Sequence, residues 1–227
     1  MIAKLICLVI GYLFGSFQSG YFLGRARGFD IRSYGSHSTG ATNSLRVMGT
    51  RAGVLVLLGD VLKAMIPCVA VRFFYAGQPD IKMLMVLWTA TGVMLGHDYP
   101  FYLGFRGGKG VASTVGVLLS LDVRVALLWC AVFLIVAVLT RYVSLSSICA
   151  MLFLGGLCAR LFLRGGLPVS AEARLEFLLL GLFLPGLSIW RHRANVGRLF
   201  SGTESKVTLF TRGMHVEKDQ AGKDRDV

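Results

Sequence analysis

Long apolar stretches separated by short polar loops run from the start of this chain almost to its end. Apolar residues fill segments near 2–24, 53–76, 83–97, 110–121, 123–140, 145–163 and 174–190. A helix crosses the bilayer hydrocarbon in about 20 residues, and several of these segments reach that length. The pattern predicts an all-α, polytopic membrane helical bundle of about seven transmembrane helices. Segments 83–97 and 110–121 are too short alone. Either the bilayer thins there, or the polar stretch 98–110 dips inward between helix ends buried in protein. Five crossings is the alternative if 83–121 is re-entrant.

The loops predict an orientation. Residues 25–52 hold five arginines against one aspartate, and 191–227 hold eight Lys and Arg against five acids. Cytoplasmic loops are the ones enriched in Lys and Arg. Seven crossings place both segments, together with 98–109 and 141–144, on the cytoplasmic side. The short or charge-poor loops 77–82, 121–124 and 164–173 then face outward. The first apolar run is preceded by a single Lys4 and followed by Arg25, Arg27 and Arg32. That asymmetry predicts a retained first helix with its N-terminus outside, and not a signal peptide. The expected organisation is one integral membrane domain over 1–206 and a polar, disordered cytoplasmic tail over 207–227.

Composition refines this picture. The chain is 55% hydrophobic and 16% charged with a mean hydropathy of +0.66, well short of the roughly 25% charge of soluble domains. Its net charge of +12 raises the question of nucleic acid. The cations lie in short loops between apolar segments and no nucleic-acid motif accompanies them, so the expected partners are membrane lipid and anionic substrate. The five cysteines, Cys7, Cys68, Cys130, Cys149 and Cys158, all lie in apolar segments with no C-x-x-C pair. They read as small hydrophobes, without a disulfide framework or a metal site.

The segment with most chemical content is Gly96-His97-Asp98-Tyr99-Pro100 through Arg106-Gly107-Gly108-Lys109-Gly110. Cations and histidine near hydrocarbon are costly, and a membrane chain keeps them where they face a polar site. Gly107, Gly108 and Gly110 remove bulk around Lys109 and let backbone N–H groups converge on an anion. A phosphate site at the membrane boundary is the first expectation. A nucleotide P-loop is not, because Leu103 stands at the first glycine position of that motif and Gly110 follows the lysine. His97 beside Asp98 lacks a partner at metal-ligand spacing, which favours a hydrogen-bonded structural histidine.

A second polar segment runs Tyr34-Gly35-Ser36-His37-Ser38-Thr39-Gly40-Ala41-Thr42-Asn43-Ser44-Leu45-Arg46. Ser36, Thr42 and Asn43 carry donors for phosphate oxygens, and Arg46 can bind phosphate as a fork. The same residues also suit a polar turn with Thr42 or Asn43 capping a helix from about Ser44. The two readings are compatible, since a capped helix N-terminus attracts anions. Arg141 through Ser147 reads most simply as a snorkelling arginine and a serine-rich helix start. In the segment from Arg191 to Lys206, a helix would put His192, Asn195 and Leu199 on one face, with Arg191 and Arg193 as a charged membrane flank. Asp60 and Lys63, three residues apart, can pair on one helix face.

Together these segments resemble the bacterial acyl-phosphate:glycerol-3-phosphate acyltransferase family, an integral membrane group. The resemblance runs to about Lys206. It rests on Gly15-Ser16 with Ser19-Gly20-Tyr21, Gly40-Ala41-Thr42-Asn43 with Arg46, and Gly59-Asp60 with Lys63. It continues through Gly96-His97, Pro100, Gly107-Gly108-Lys109-Gly110-Val111-Ala112 and Arg141-Tyr142-Val143-Ser144-Leu145. It ends on His192, Asn195, Arg198-Leu199, Gly202 and Glu204-Ser205-Lys206. Gln18 stands where the family usually has proline, His37-Ser38 where it has Gly-Asn, and Arg106 where lysine is common.

The resemblance implies transfer of a fatty acyl group from acyl phosphate to the 1-hydroxyl of glycerol 3-phosphate in the bacterial cytoplasmic (inner) membrane. Lysophosphatidic acid and phosphate would be the products. Lys109, Arg46, His192 and Ser36 are the candidate catalytic residues. Thr42, Asn43, Gly107, Gly108, Gly110, Ser144 and Asn195 join them as candidate substrate ligands. By similarity, His192 and Asn195 help hold glycerol 3-phosphate, Ser144 lies near the acyl phosphate, and the acyl chain enters between helices. No cofactor or metal is expected, because cationic side chains can do the charge work. The soluble-type H-x-x-x-x-D pattern is absent at every histidine. The expected base is a substrate phosphate oxygen, with His192 as runner-up. The competing class is a transporter or channel for phosphorylated metabolites.

Overall fold

The computed structural model describes residues 1–207, so the expected disordered tail lies outside the described residues beyond Val207. Ten α-helices form among them: α1 (Ile2–Ser16), α2 (Ser19–Arg25), α3 (Ala41–Met48), α4 (Thr50–Phe74), α5 (Pro79–Asp98), α6 (Val111–Leu121), α7 (Val123–Thr140), α8 (Val143–Leu163), α9 (Arg174–Arg191) and α10 (Arg193–Phe200). The chain is thus a polytopic helical bundle, with a helix at every apolar segment. Four runs are long and apolar enough to cross a membrane: Ile2–Arg25, Thr50–Phe74, Val123–Thr140 and Val143–Leu163. The other apolar helices fall short for physical reasons. α5 has polar ends, with Asp80 and Lys82 at one and His97-Asp98 at the other. α6 has 11 residues, about 17 Å of helix. α9 carries Arg174, Glu176, Arg191 and an internal Pro185.

α5 is the buried axis of the bundle, and nearly every residue from Leu84 to Asp98 is shielded from the surroundings. α7 is its opposite, with only Ala126 and Trp129 buried. A helix that is apolar all round and exposed on most sides is one that meets lipid. α1 runs along α5 at a spacing only glycine permits. A Cβ on Gly11 or Gly15 would enter the backbone of α5 at Thr89 or Val93, and one on Gly92 or Gly96 would enter that of α1 at Leu8 or Tyr12. Small residues four apart on both helices let the backbones touch, which is how helices associate where no hydrophobic gradient drives them together.

The first apolar run is broken at Phe17-Gln18, where both residues leave the helical region. Gln18 is buried at the break. Its Nε2 donates to the His97 carbonyl at 3.1 Å, and Thr39 Oγ1 donates to its Oε1 at 2.6 Å. Its side-chain amide thus ties the break to α5 and to the loop before α3. The Phe17 carbonyl, released from the helix, accepts from Lys63 Nζ at 2.6 Å. Lys63 also pairs with Asp60 at 2.9 Å, three residues away on α4.

Candidate active site

The loop before α3, the turn after α5, the start of α8 and the segment around α10 converge on one cavity of about 370 Å³. Ser36, Thr42, Asn43 and Arg46 line it from the first segment, Lys109 and Gly110 from the second, Ser144 from α8, and His192, Asn195 and Glu204 from the last. Away from this polar end the wall is apolar. Leu57, Leu58 and Val61 of α4, Val111 and Val115 of α6, and Trp129, Phe133 and Leu134 of α7 form it.

The first loop owes its shape to Asn43. α3 begins at Ala41 with Gly40 as its cap and without a side-chain capping bond, so the expected Thr42 or Asn43 cap is not formed. Asn43 lies one turn inside and is 1% exposed. Its Oδ1 accepts from the Ser36 N–H at 2.8 Å, and its Nδ2 donates to the carbonyls of Ser38 at 2.8 Å and Tyr34 at 3.0 Å. With its amide engaged this way, Asn43 braces the loop that presents Ser36. Its amide is thus engaged within the loop, whereas Thr42 and Arg46 of α3 also line the cavity. His37 adopts a left-handed φ of 56°. Glycine reaches that region without the Cβ penalty that His37 carries.

The turn after α5 corrects a second expectation. The N–H groups of Gly107 and Gly108 donate to the carbonyls of Asp98 at 3.1 Å and His97 at 2.9 Å. These two glycines are buried against α5 and do not line the cavity. Their role is close packing, since a Cβ on Gly108 would enter the His97 ring. His97, expected as a structural histidine, has Nδ1 2.8 Å from Lys63 Nζ and, with Asp60, also borders the cavity. Gly110, at φ 76°, turns the chain into α6.

Across the cavity Lys109, Asn195 and Ser144 join one network. Lys109 Nζ donates to Asn195 Oδ1 at 2.5 Å, and Asn195 Nδ2 donates to Glu204 Oε1 at 2.8 Å. Ser144 Oγ donates to the same Oε1 at 2.8 Å, while Arg198 Nε reaches Oε2 at 2.7 Å. Arg46 Nη2 donates to the Ser205 carbonyl at 3.1 Å. Glu204 is therefore the hub, and it was not among the residues proposed from sequence. The signals for it in the sequence are its place in the terminal Glu204-Ser205-Lys206 stretch and its ability to fold back towards His192.

Electrostatics follow from crowding of cations in a shielded space. Burial, then Arg198, brings the Lys109 ammonium down to about 8. Burial also lowers Arg46, with Glu204 acting against it. Burial, then the Lys109 charge, lowers His192 to about 4. His192 Nδ1 lies 2.8 Å from the Ser188 carbonyl. A carbonyl only accepts, so the proton of the neutral ring sits on Nδ1 and the Nε2 lone pair is left to meet a ligand. Burial opposes ionisation of Glu204, but hydrogen bonds from Asn195, Ser144 and Arg198 outweigh it and hold its carboxyl below the ordinary value.

The structure is thus a helical membrane bundle whose cationic pocket is continuous with an apolar wall, and comparison with known proteins gives its class as an integral membrane acyltransferase. The crystal structure of PlsY, an integral membrane glycerol 3-phosphate acyltransferase, in its glycerol 3-phosphate form matches with a TM-score of 0.77 at 34% identity, covering 90% of this chain and 96% of that one. Its lysophosphatidic acid form matches at 0.74 and 33% identity, over 91% and 96%. The Clostridioides difficile (strain 630) glycerol-3-phosphate acyltransferase is 40% identical over 209 residues, 89% of this chain and 95% of its own. That of Prochlorococcus marinus (strain NATL1A) is 42% identical over 205 residues, 90% and 98%. The glycerol-3-phosphate acyltransferase family model matches residues 5–202, and the chain belongs to that family.

Proposed function

We propose that this acyltransferase uses acyl phosphate as donor and glycerol 3-phosphate as acceptor, and releases 1-acyl-glycerol 3-phosphate and inorganic phosphate. The observation that carries the reading is the continuity of one cavity from a cationic, hydroxyl-lined end to an apolar wall. Such a space suits a substrate with a phosphate at one end and an alkyl chain at the other. Arg46 and Lys109 neutralise the phosphates, Ser36 and Thr42 donate to them, and the acyl chain lies along α4, α6 and α7. The acceptor hydroxyl attacks the carbonyl carbon, the bond to the phosphate oxygen breaks, and the electron pair leaves on phosphate. A mixed anhydride has a good leaving group, so positioning and charge stabilisation suffice without a protein nucleophile.

The hydroxyl proton passes to a substrate phosphate oxygen. A phosphate monoester has a second pKa of about 6, whereas His192 is held at about 4. Set against the ligand-free ring, the phosphate is the stronger base of the two. His192 Nε2 then serves to orient the acceptor, with Asn195 beside it. The expected setting is the bacterial cytoplasmic membrane, with the N-terminus outside and the site on the cytoplasmic face.

Purified protein in detergent, given acyl phosphate and glycerol 3-phosphate, is expected to form lysophosphatidate and phosphate, and acyl-CoA is expected not to substitute. Equal turnover of acyl-CoA would reject the donor assignment. For the topology, cysteines placed at Gln78 and Gly166 should be labelled from outside, and those at Ser38 and Gly202 only after the membrane is opened. Outside labelling of Ser38 would reverse the orientation.

A further inference from the structure

The turn Gly107–Gly110 is held from two sides by different chemistry. Against α5 it is jammed sterically, and its two leading N–H groups donate into that helix terminus. On the other side the last turn of α9 captures three consecutive carbonyls. Arg191 Nε donates to the Gly108 carbonyl at 3.0 Å and Nη2 to the Gly107 carbonyl at 3.3 Å. Ser188 Oγ donates to the Lys109 carbonyl at 2.8 Å. The guanidinium is itself seated over the Tyr99 ring, 4.9 Å from its centroid. In a planar trans peptide the N–H points opposite to the C=O. Fixing the carbonyls of Gly108 and Lys109 towards α9 therefore aims the N–H groups of Lys109 and Gly110 away from it.

We infer that Arg191 and Ser188 form a positioning clamp that sets the direction of Lys109 at the cavity and of the N–H groups of Lys109 and Gly110. Neither residue lines the cavity, so each acts through the turn and not on the substrate. The Ser188 carbonyl also receives His192 Nδ1, and one turn of α9 thereby sets both Lys109 and His192. Arg191, read from sequence as a membrane flank, is built into the site. A lysine cannot replace it, because an ammonium offers no rigid fork to two adjacent carbonyls. The inference rests on the proposed role of Lys109 at the substrate phosphate.

The test measures kcat, both KM values and the pH dependence of kcat/KM for purified Arg191→Lys, Arg191→Gln and Ser188→Ala. Lys109, at about 8, faces Arg198 of α10, Glu204 beyond it, Arg191 of α9 and Arg46 of α3, with His192 and Asp98 also in electrostatic reach. Arg191→Lys keeps the charge and loses the fork, so kcat should fall by 10-fold or more, up to about 10²-fold for a misplacement near 1 Å, with the alkaline limb in place. Arg191→Gln should show a similar fall with the limb moved to higher pH, because one cation opposing the Lys109 charge is gone. Ser188→Ala should lose several-fold in kcat. A folded Arg191→Lys enzyme with wild-type kcat overturns the clamp, as does a rise in one KM with kcat unchanged, which would mean direct substrate contact. If Arg191 variants do not fold, Ser188→Ala at the wild-type rate overturns it. Lys109→Ala run alongside separates the two claims: its full activity would sink the phosphate reading, whereas an inactive Lys109→Ala beside a fully active Arg191→Lys would sink the clamp alone.

Discussion

Two buried lysines, one in the heart of the bundle and one in the cavity, look alike in sequence and differ in how they are satisfied. Lys63 Nζ meets Asp60 Oδ1 at 2.9 Å, the Phe17 carbonyl at 2.6 Å and His97 Nδ1 at 2.8 Å. An ammonium has three donors, and the protein answers all of them. Lys109 Nζ has one protein acceptor among the described residues, Asn195 Oδ1. The neighbouring histidines differ in which ring nitrogen carries the proton. The tautomers are opposite: His97 Nδ1 accepts from a lysine, whereas His192 Nδ1 donates to a carbonyl. Burial and charge are common to both regions. What separates a structural cluster from a binding site is whether the donors and acceptors are already saturated.

The largest effect is expected where saturation is complete. Lys63→Met leaves Asp60 buried without its ion pair, and breaking one half of such a pair costs about 3–5 kcal/mol. Thermal unfolding in detergent should show a strong loss, with poor recovery of monodisperse protein. Asp60→Asn combined with Lys63→Met removes both charges and should regain much of that stability. An unchanged melting temperature for Lys63→Met would mean the cluster is not a structural keystone.

At the open site the loss should appear in turnover and not in folding. Lys109→Ala and Arg46→Ala are each expected to lower turnover by at least ~10²-fold, the scale for removing one preorganised charge-stabilising donor. Their melting temperatures should stay near the wild-type value. The ammonium must be charged to act, so kcat/KM of the wild type should fall as pH rises through about 8, and that limb should be missing from Lys109→Ala. Folded mutants with near-wild-type rates would reject the shared phosphate site.

The contrast also explains what could be read from sequence. The helices were legible because continuous apolar runs leave the backbone no other way to satisfy itself in hydrocarbon. The Asp60–Lys63 pair followed from helical spacing. The break at Phe17-Gln18 was hinted at only by the resemblance, which puts proline where Gln18 stands; neither residue here is a helix breaker, and the contact on the freed carbonyl is tertiary, from Lys63. The amides of Gly107 and Gly108 were expected at an anion, but a glycine spacing does not say which way a peptide plane faces. Asn43 was recognised as a polar residue of the site, yet its work as a brace depends on loop carbonyls that only the fold brings within reach. For Glu204 the sequence offers only that it could fold back towards His192; its links to Asn195 and Arg198 are local, but the one to Ser144 spans 60 residues, and a carboxylate in a polar segment gives no sign of burial.

The smallest expected effect concerns His192, and it bears on the identity of the base. If a substrate phosphate takes the proton, His192→Gln removes an orienting contact. The loss should fall mainly on KM for glycerol 3-phosphate, with a sizeable rate surviving at saturation. A base must be deprotonated, so the rate declines as pH falls through its pKa. With substrate phosphate as base the acidic limb should lie near its second pKa of about 6 and persist in the mutant. With His192 as base, kcat should fall by ~10²–10⁴ and the limb it controls should vanish. In the ligand-free site that limb would lie near 4, where burial and the Lys109 charge hold the ring. An incoming phosphate dianion opposes Lys109 and raises the imidazole again, so the position of the wild-type limb is less decisive than its survival. The comparison is therefore made between wild type and His192→Gln, with acyl phosphate saturating. A persistent limb with modest loss of kcat supports substrate assistance, and its disappearance assigns the proton to His192.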